Sequence, residues 1–137
     1  MTNKINQNLI SSLINNNDKV LDIGCGNGDL LYYLEKTKNI QGQGIEISHL
    51  GVKESVTKGL SVIQGDADED LVNFTDNTFD VVILSDTLQA THKPKEVLKQ
   101  MLRIGKKCII CIPNFGYWKY RLQILFYGIM PVTKTLS

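Results

Sequence analysis

Three glycines at alternate positions, Gly24, Gly26 and Gly28, follow a short apolar run in the stretch VLDIGCGNGD, and Asp22 stands two residues ahead of them. Such a turn lets backbone approach a bound molecule closely. A dinucleotide loop spaces its glycines G-x-G-x-x-G, with the third five positions after the first. Here that position is Asp29, and the third glycine comes one residue early. Asp22 would sit poorly beside a pyrophosphate but well beside an ammonium or a sulfonium. S-adenosylmethionine carries both cations, together with a carboxylate that N–H groups at a helix start can receive. The loop chemistry therefore favours this methyl donor over NAD. An NAD-binding domain or an ordinary tight βα turn are the weaker alternatives. Cys25, within the loop, is expected to contribute only its backbone.

Further candidates fall at the ends of successive apolar runs. Glu46, followed by Ile47, lies 22 residues beyond Gly24, where a carboxylate can accept both hydroxyls of a ribose; the alternative is a solvated strand-end charge. Gly65, Asp66 and Ala67 offer a carboxylate and a backbone N–H for an adenine edge, although Asp66 could equally cap the acidic turn after it. Ser85 and Asp86 would form a floor beneath the methionine part of the donor. No catalytic residue is assigned. Asp86 and His92 are the nearby titratable groups, with a capping role and an exposed loop as their plain alternatives. His49 is expected to face solvent. Cys108 and Cys111 stand three apart in a strand, point to opposite faces and cannot chelate one ion together; they read as core residues, and no metal site is expected.

These residues need a scaffold that brings strand ends together. Residues 5–14 carry Ile5, Leu9, Leu13 and Ile14 at helical spacing. Strands are expected at 19–23, 41–47, 61–65, 79–85 and 106–113. Helices are expected at 28–36, with Leu30, Leu31 and Leu34 inward, at 48–59 behind a Ser48 cap and before Gly59, and at 95–105 behind Pro94. This alternation predicts a doubly wound α/β domain with a mainly parallel sheet and helices on both faces, spanning 1–137 as a single unit. Ligands bind such sheets at the carboxyl ends of their strands. In NFGYWKYRLQILFYGIM, the residues Trp118, Leu122, Leu125, Phe126 and Ile129 fall at helical spacing. A helix over 115–130 is therefore expected, able to pack on the sheet, cover the acceptor side, dock a partner enzyme, or mediate self-association.

At 137 residues, with 42% hydrophobic and 21% charged residues, the composition is that of a globular protein. A net charge of +1 gives no electrostatic case for nucleic acid or anionic membrane. The polar, Asn-rich start has no apolar signal segment, no run approaches the ~20 apolar residues of a membrane span, and three cysteines do not suit a disulfide framework. The expectation is a cytoplasmic protein.

VLDIGCGNGD, the strand-end IEI and QGDAD resemble the class I S-adenosylmethionine-dependent methyltransferase fold, which is Rossmann-like. QGDADEDL, FDVVILSDTLQA, PKEVLKQMLRIGKK and, most specifically, PNFGYWKYRLQILFYGIMPVTK resemble the MetW family of methionine-biosynthesis proteins, from about Val20 to Ser137. The resemblance implies a role in methionine (amino-acid) biosynthesis beside homoserine O-acetyltransferase. It carries the donor positions Asp22, Gly24, Gly26, Gly28, Glu46 and Asp66 onto this chain. It leaves two roles open, methyl transfer to a small acceptor or a non-catalytic accessory subunit of the acetyltransferase. Members of the fold normally finish with two further strands, which the resemblance leads one to expect are missing before Ser137.

Overall fold

The computed structural model describes residues 4–85, 91–114, 119–126 and 132–135. Its strands are β1 (Lys19–Ile23), β2 (Gln41–Glu46), β3 (Val62–Gln64), β4 (Phe79–Ser85), β5 (Gly105–Asn114), β6 (Lys119–Phe126) and β7 (Val132–Thr135). Its helices are α1 (Lys4–Ser12), α2 (Asp29–Lys38), α3 (His49–Thr57), α4 (Ala67–Asp70) and α5 (Pro94–Ile104), and a 3-10 turn follows α4 at Leu71–Asn73. The sheet runs β3-β2-β1-β4-β5-β6-β7. Its first five strands are parallel, with β1 between β2 and β4. Chain order reverses between β1 and β4, and the carboxyl ends flanking that reversal are where an open α/β sheet offers its crevice.

Adjacent residues of the central strands feed opposite faces of the sheet. Val20, Val81, Ile83 and Ile109 join Ile10 and Ile14 and the α2 leucines Leu30, Leu31 and Leu34 on one side. Leu21, Val82, Leu84 and Ile110 join Val97, Met101 and Ile104 of α5 on the other. Near-continuous apolar strands thus follow from burial on both faces. Cys111 belongs to the first cluster and Cys108 to the second, the opposite-face arrangement their spacing dictates.

Helix ends follow the local chemistry. The Ser48 hydroxyl accepts from Gly51 N–H at 3.2 Å and opens α3. Pro94 takes the first position of α5, where a missing N–H costs nothing. Asp66 caps α4, its Oδ1 accepting from Asp68 N–H at 2.9 Å, while Asp70 Oδ2 accepts from Asp66 N–H at 2.7 Å. Arg103 on α5 donates to Asp76, Gln100 and the Leu71 carbonyl, which fastens the turn after α4 to that helix.

The tail departs from expectation. Lys119–Phe126 is a strand, antiparallel to β5 from Asn114↔Lys119 to Lys107↔Phe126, and β7 pairs antiparallel with it. KYRLQI alternates polar and apolar residues with the period of a strand. The outer edge of β5 also presents backbone groups that a strand satisfies and a helix cannot. The helical face expected from Leu122, Leu125 and Phe126 therefore does not form, and the sheet continues for two strands beyond β5. Trp118 and Ile129, and with them Asp86, lie outside the described residues. Among the described residues, no helix is long and apolar enough to cross a membrane.

Burial pushes the thiols of Cys25, Cys108 and Cys111 up to about 12, and the charge of Asp22 adds to the effect at Cys25 and Cys111. Since the thiolate is the reactive form, a disulfide-exchange reagent at neutral pH should label none of the three quickly in the native protein and all three after unfolding. Rapid labelling of any one under native conditions would contradict this packing.

Candidate functional site

The glycine loop joins β1 to α2 and is held from three directions. Gly24 and Cys25 donate their N–H groups to the Ile45 carbonyl at 2.8 and 3.3 Å, which ties the loop start to β2. The Gly26 N–H donates to Glu46 Oε1 at 2.8 Å, and Glu46 Oε2 accepts from Ser48 N–H at 2.9 Å. One carboxylate, 9% exposed, thus bridges the loop to the entry of α3. The Ser55 hydroxyl of α3 lies 2.8 Å from the Gly51 carbonyl and 3.1 Å from that of Gly26. Lys58 closes the outer side, donating to the Asn27 carbonyl at 2.7 Å and to Asp29 Oδ1 at 2.8 Å. The Lys58 hydrogen bond holds the Asp29 carboxyl below its usual range.

This closeness requires glycine. A Cβ on Gly28 (φ +86°) would collide with Leu60 Cδ1 and stand 2.9 Å from Ser55 Oγ, and one on Gly51 would stand 2.9 Å from the Gly26 carbonyl oxygen. On β2, a Cβ at Gly44 would lie 2.7 Å from Cys25 Sγ. Cys25 therefore does contribute a side chain: its buried thiol fills the space that Gly44 leaves.

A cleft of about 190 Å³ opens at the carboxyl ends of β1, β2 and β3. The loop enters it through Gly24, and β2 supplies Glu46 and Ile47, the latter 65% exposed at the rim. Gly65, Asp66 and Ala67 close the β3 side. These are six of the positions singled out from sequence. The others stand elsewhere. Cys25, Gly26 and Gly28 form the scaffold behind the wall, and Ser85 ends β4 opposite Cys111. Asp22 is buried within the sheet, 1% exposed, and does not line the cleft.

Four lining residues, Ile23, Ile45, Asp68 and Thr91, were not foreseen. The two isoleucines lie at or next to strand ends and could have been found from that position. Asp68 could not, because its partners are distant: its carboxylate accepts from His92 N–H at 2.9 Å and from Lys93 N–H at 3.0 Å. His92 and His49 are exposed, as expected. Among the described residues, no group of three or more His, Cys, Asp or Glu is arranged to hold a metal ion.

Among the described residues, the lining includes the acidic residues Glu46, Asp66 and Asp68 and no lysine or arginine. Beside these acidic residues a cationic ligand would be favoured over a phosphate. The donor inferred from the loop fits this set: carboxylates for hydroxyls, amine and positive charge, and an apolar pair, Ile47 and Ala67, for an aromatic base.

Comparison with known proteins agrees with that chemistry. The family model for methionine biosynthesis protein MetW matches residues 4–137. A bifunctional methionine biosynthesis protein MetXA/MetW from Rhodopirellula baltica is 34% identical over 96% of this chain, which covers 22% of that protein. A demethylmenaquinone methyltransferase from Listeria welshimeri is 30% identical over 82% of the chain and is covered over 53% of its own length. The crystal structure of a SAM-dependent methyltransferase from Geobacter sulfurreducens, in complex with S-adenosyl-L-homocysteine, superposes with a TM-score of 0.65 at 20% identity, over 80% of this chain and 48% of that one. The chain thus spans about half or less of the length of these proteins, and has the Rossmann-like methyltransferase fold. It belongs to the MetW family.

The loop geometry yields a graded prediction. Gly28→Ala combines a left-handed backbone with a collision against α3 and should cost about 3 kcal/mol or more. Gly26→Ala, at φ +59° with nothing within 4 Å of the new Cβ, should cost only about 1–2 kcal/mol. Urea unfolding of both variants checks the order, and equal losses would mean that the contact with Leu60 and Ser55 is not formed.

Proposed function

We propose that this MetW-family chain binds S-adenosylmethionine in the cleft at the strand ends and transfers its methyl group to a small acceptor in methionine biosynthesis. The observation that carries the reading is the cleft's chemistry: among its described lining residues three are acidic and none is basic, beside an apolar rim. Glu46 uses one lone pair of each oxygen on the N–H groups of Gly26 and Ser48. The remaining lone pairs can accept both hydroxyls of a ribose. Asp66 and the Ala67 N–H would take the adenine edge, with Ile47 against the ring and Gly65 leaving room for it. The N–H groups at the start of α2 would receive the donor's carboxylate, and Gly24, whose own N–H is held by the Ile45 carbonyl, would leave room beside them. Asp22, one residue before the cleft, would balance the ammonium through the field it sets at the loop, and Ser85 would support the methionine part from β4. When bound, the donor would supply a sulfonium methyl group whose carbon an acceptor lone pair can attack in line, as the C–S bond breaks and its electron pair leaves with S-adenosylhomocysteine. Positioning can provide much of the acceleration for that step. The thiol of Cys25 is no candidate nucleophile, being held protonated by its burial.

A second reading is favoured by one observation. The Rhodopirellula relative bears the names MetXA and MetW on a single polypeptide, which supports a working association between the two. The partner implied for this chain is homoserine O-acetyltransferase, beside which it would act as an accessory subunit, with the donor as a sensed ligand. Such a protein would work in the cytoplasm, without nucleic acid or membrane partners.

Calorimetric titration with S-adenosylmethionine and S-adenosylhomocysteine tests the donor site. The parent chain should bind both, and Glu46→Ala should weaken binding at least tenfold; thermal melting of the unliganded variant separates this from unfolding. Absence of binding by the parent would end the donor reading. Binding without turnover on small acceptors, together with co-purification of homoserine O-acetyltransferase, would favour the accessory role.

A further inference from the structure

Asp68 makes contacts that its own helix does not use. On α4 it follows Asp66 and Ala67, which line the cleft, and it lines the cleft itself. Its Oδ2 accepts from His92 N–H and its Oδ1 from Lys93 N–H, 24 and 25 residues further along the chain. Both oxygens thus hold the backbone next to Thr91, which also lines the cleft. Lys93 is the capping position of α5, yet its side chain makes no capping bond, and Pro94 follows it. A carboxylate from another part of the chain therefore does at this helix entry what a capping-box acid does from within a helix. The second link, Lys93 Nζ to Glu69 at 3.3 Å, is exposed and weak.

We infer that Asp68 is a positioning residue of the donor cleft: by gripping the His92 and Lys93 amides it sets the Thr91 wall against Asp66 and Ala67. The inference rests on the cleft being the donor site. It assigns Asp68 a role through the backbone at 91–93 and none in the chemical step. The hydrogen bond from the His92 N–H, followed by that from Lys93, holds the Asp68 carboxyl below its usual range. A depressed carboxylate contributes above its unfolded value and is lost as pH falls through its folded one. The grip therefore persists through neutral pH and loosens only in acid, below the ordinary carboxylate range. The charged groups around it are Asp66, Glu69 and Asp70 from α4 and its flanks, and His92 and Lys93 from the entry of α5.

The test measures affinity for S-adenosylmethionine and S-adenosylhomocysteine in the parent, Asp68→Ala, Thr91→Ala and the double variant, with Glu46→Ala and Glu69→Gln beside them. Asp68→Ala should weaken both ligands about tenfold, and Glu69→Gln should leave them within about twofold. If Asp68 acts through the Thr91 wall, the double variant should bind about as well as Asp68→Ala alone. Amide hydrogen exchange should show the His92 and Lys93 amides protected in the parent and released in Asp68→Ala, while those of β1 stay unchanged. Additive losses would mean direct contact between Asp68 and the ligand and overturn the positioning role. Unchanged affinity in Asp68→Ala would overturn it too, with the donor reading intact so long as Glu46→Ala still loses binding. No binding by the parent would defeat the donor reading itself and this inference with it.

Discussion

The carboxylate of Glu46 takes one backbone N–H from the glycine loop and one from the start of α3. A charge at 9% exposure is costly unless it is hydrogen-bonded. Here the two amides that stabilise it are groups that would otherwise lack partners, in a turn and at a helix entry. Both problems are solved by one side chain at the end of β2. Everything that shapes the cleft floor follows from that bridge. It draws the loop against α3, which in turn admits no side chain at Gly28 or Gly51 and brings the Ser55 hydroxyl within reach of the Gly26 carbonyl. Each of its oxygens has acceptor capacity beyond those two bonds, and Glu46 lines the cleft, so a scaffold group is also a candidate for ligand contact.

Much of this was legible in the sequence where the determinants are local. The bounds of β1 and β4 coincide with the apolar runs KVLDI and FDVVILS, because a strand buried on both faces is a continuous apolar segment flanked by polar residues. Ser48 and Pro94 mark their helices by chemistry that acts within one turn. The tail was misread because KYRLQILFYGIM satisfies two periods at once. Only the presence of a β5 edge in need of a partner decides between them, and that edge is made by residues distant in sequence.

The candidate site divides along the same line. Gly24, Glu46, Ile47, Gly65, Asp66 and Ala67 are adjacent to strand ends, so the rule that open α/β sheets bind ligands at those ends locates them. Asp68 carried no such mark. Within DADEDL it looks like one more solvated charge, and its meaning lies in two amides more than twenty residues away. Asp22 stands apart from the other candidates: it precedes the loop, and strand alternation turns it to the face that Val20 occupies, into the interior.

The packing of Cys25 against Gly44 restricts how this sequence can drift. The thiol occupies the volume that a side chain at 44 would need, at 2.7 Å from the Cβ such a residue would carry, with Leu31 and Val62 closing the other sides at 3.0 Å. A side chain at 44 needs the thiol at 25 to give way, with Leu31 and Val62 yielding a few tenths of an ångström besides. The two sites, in different elements and without any chemical bond between them, behave as a single unit of inheritance, in which the order of mutations matters as much as their identity.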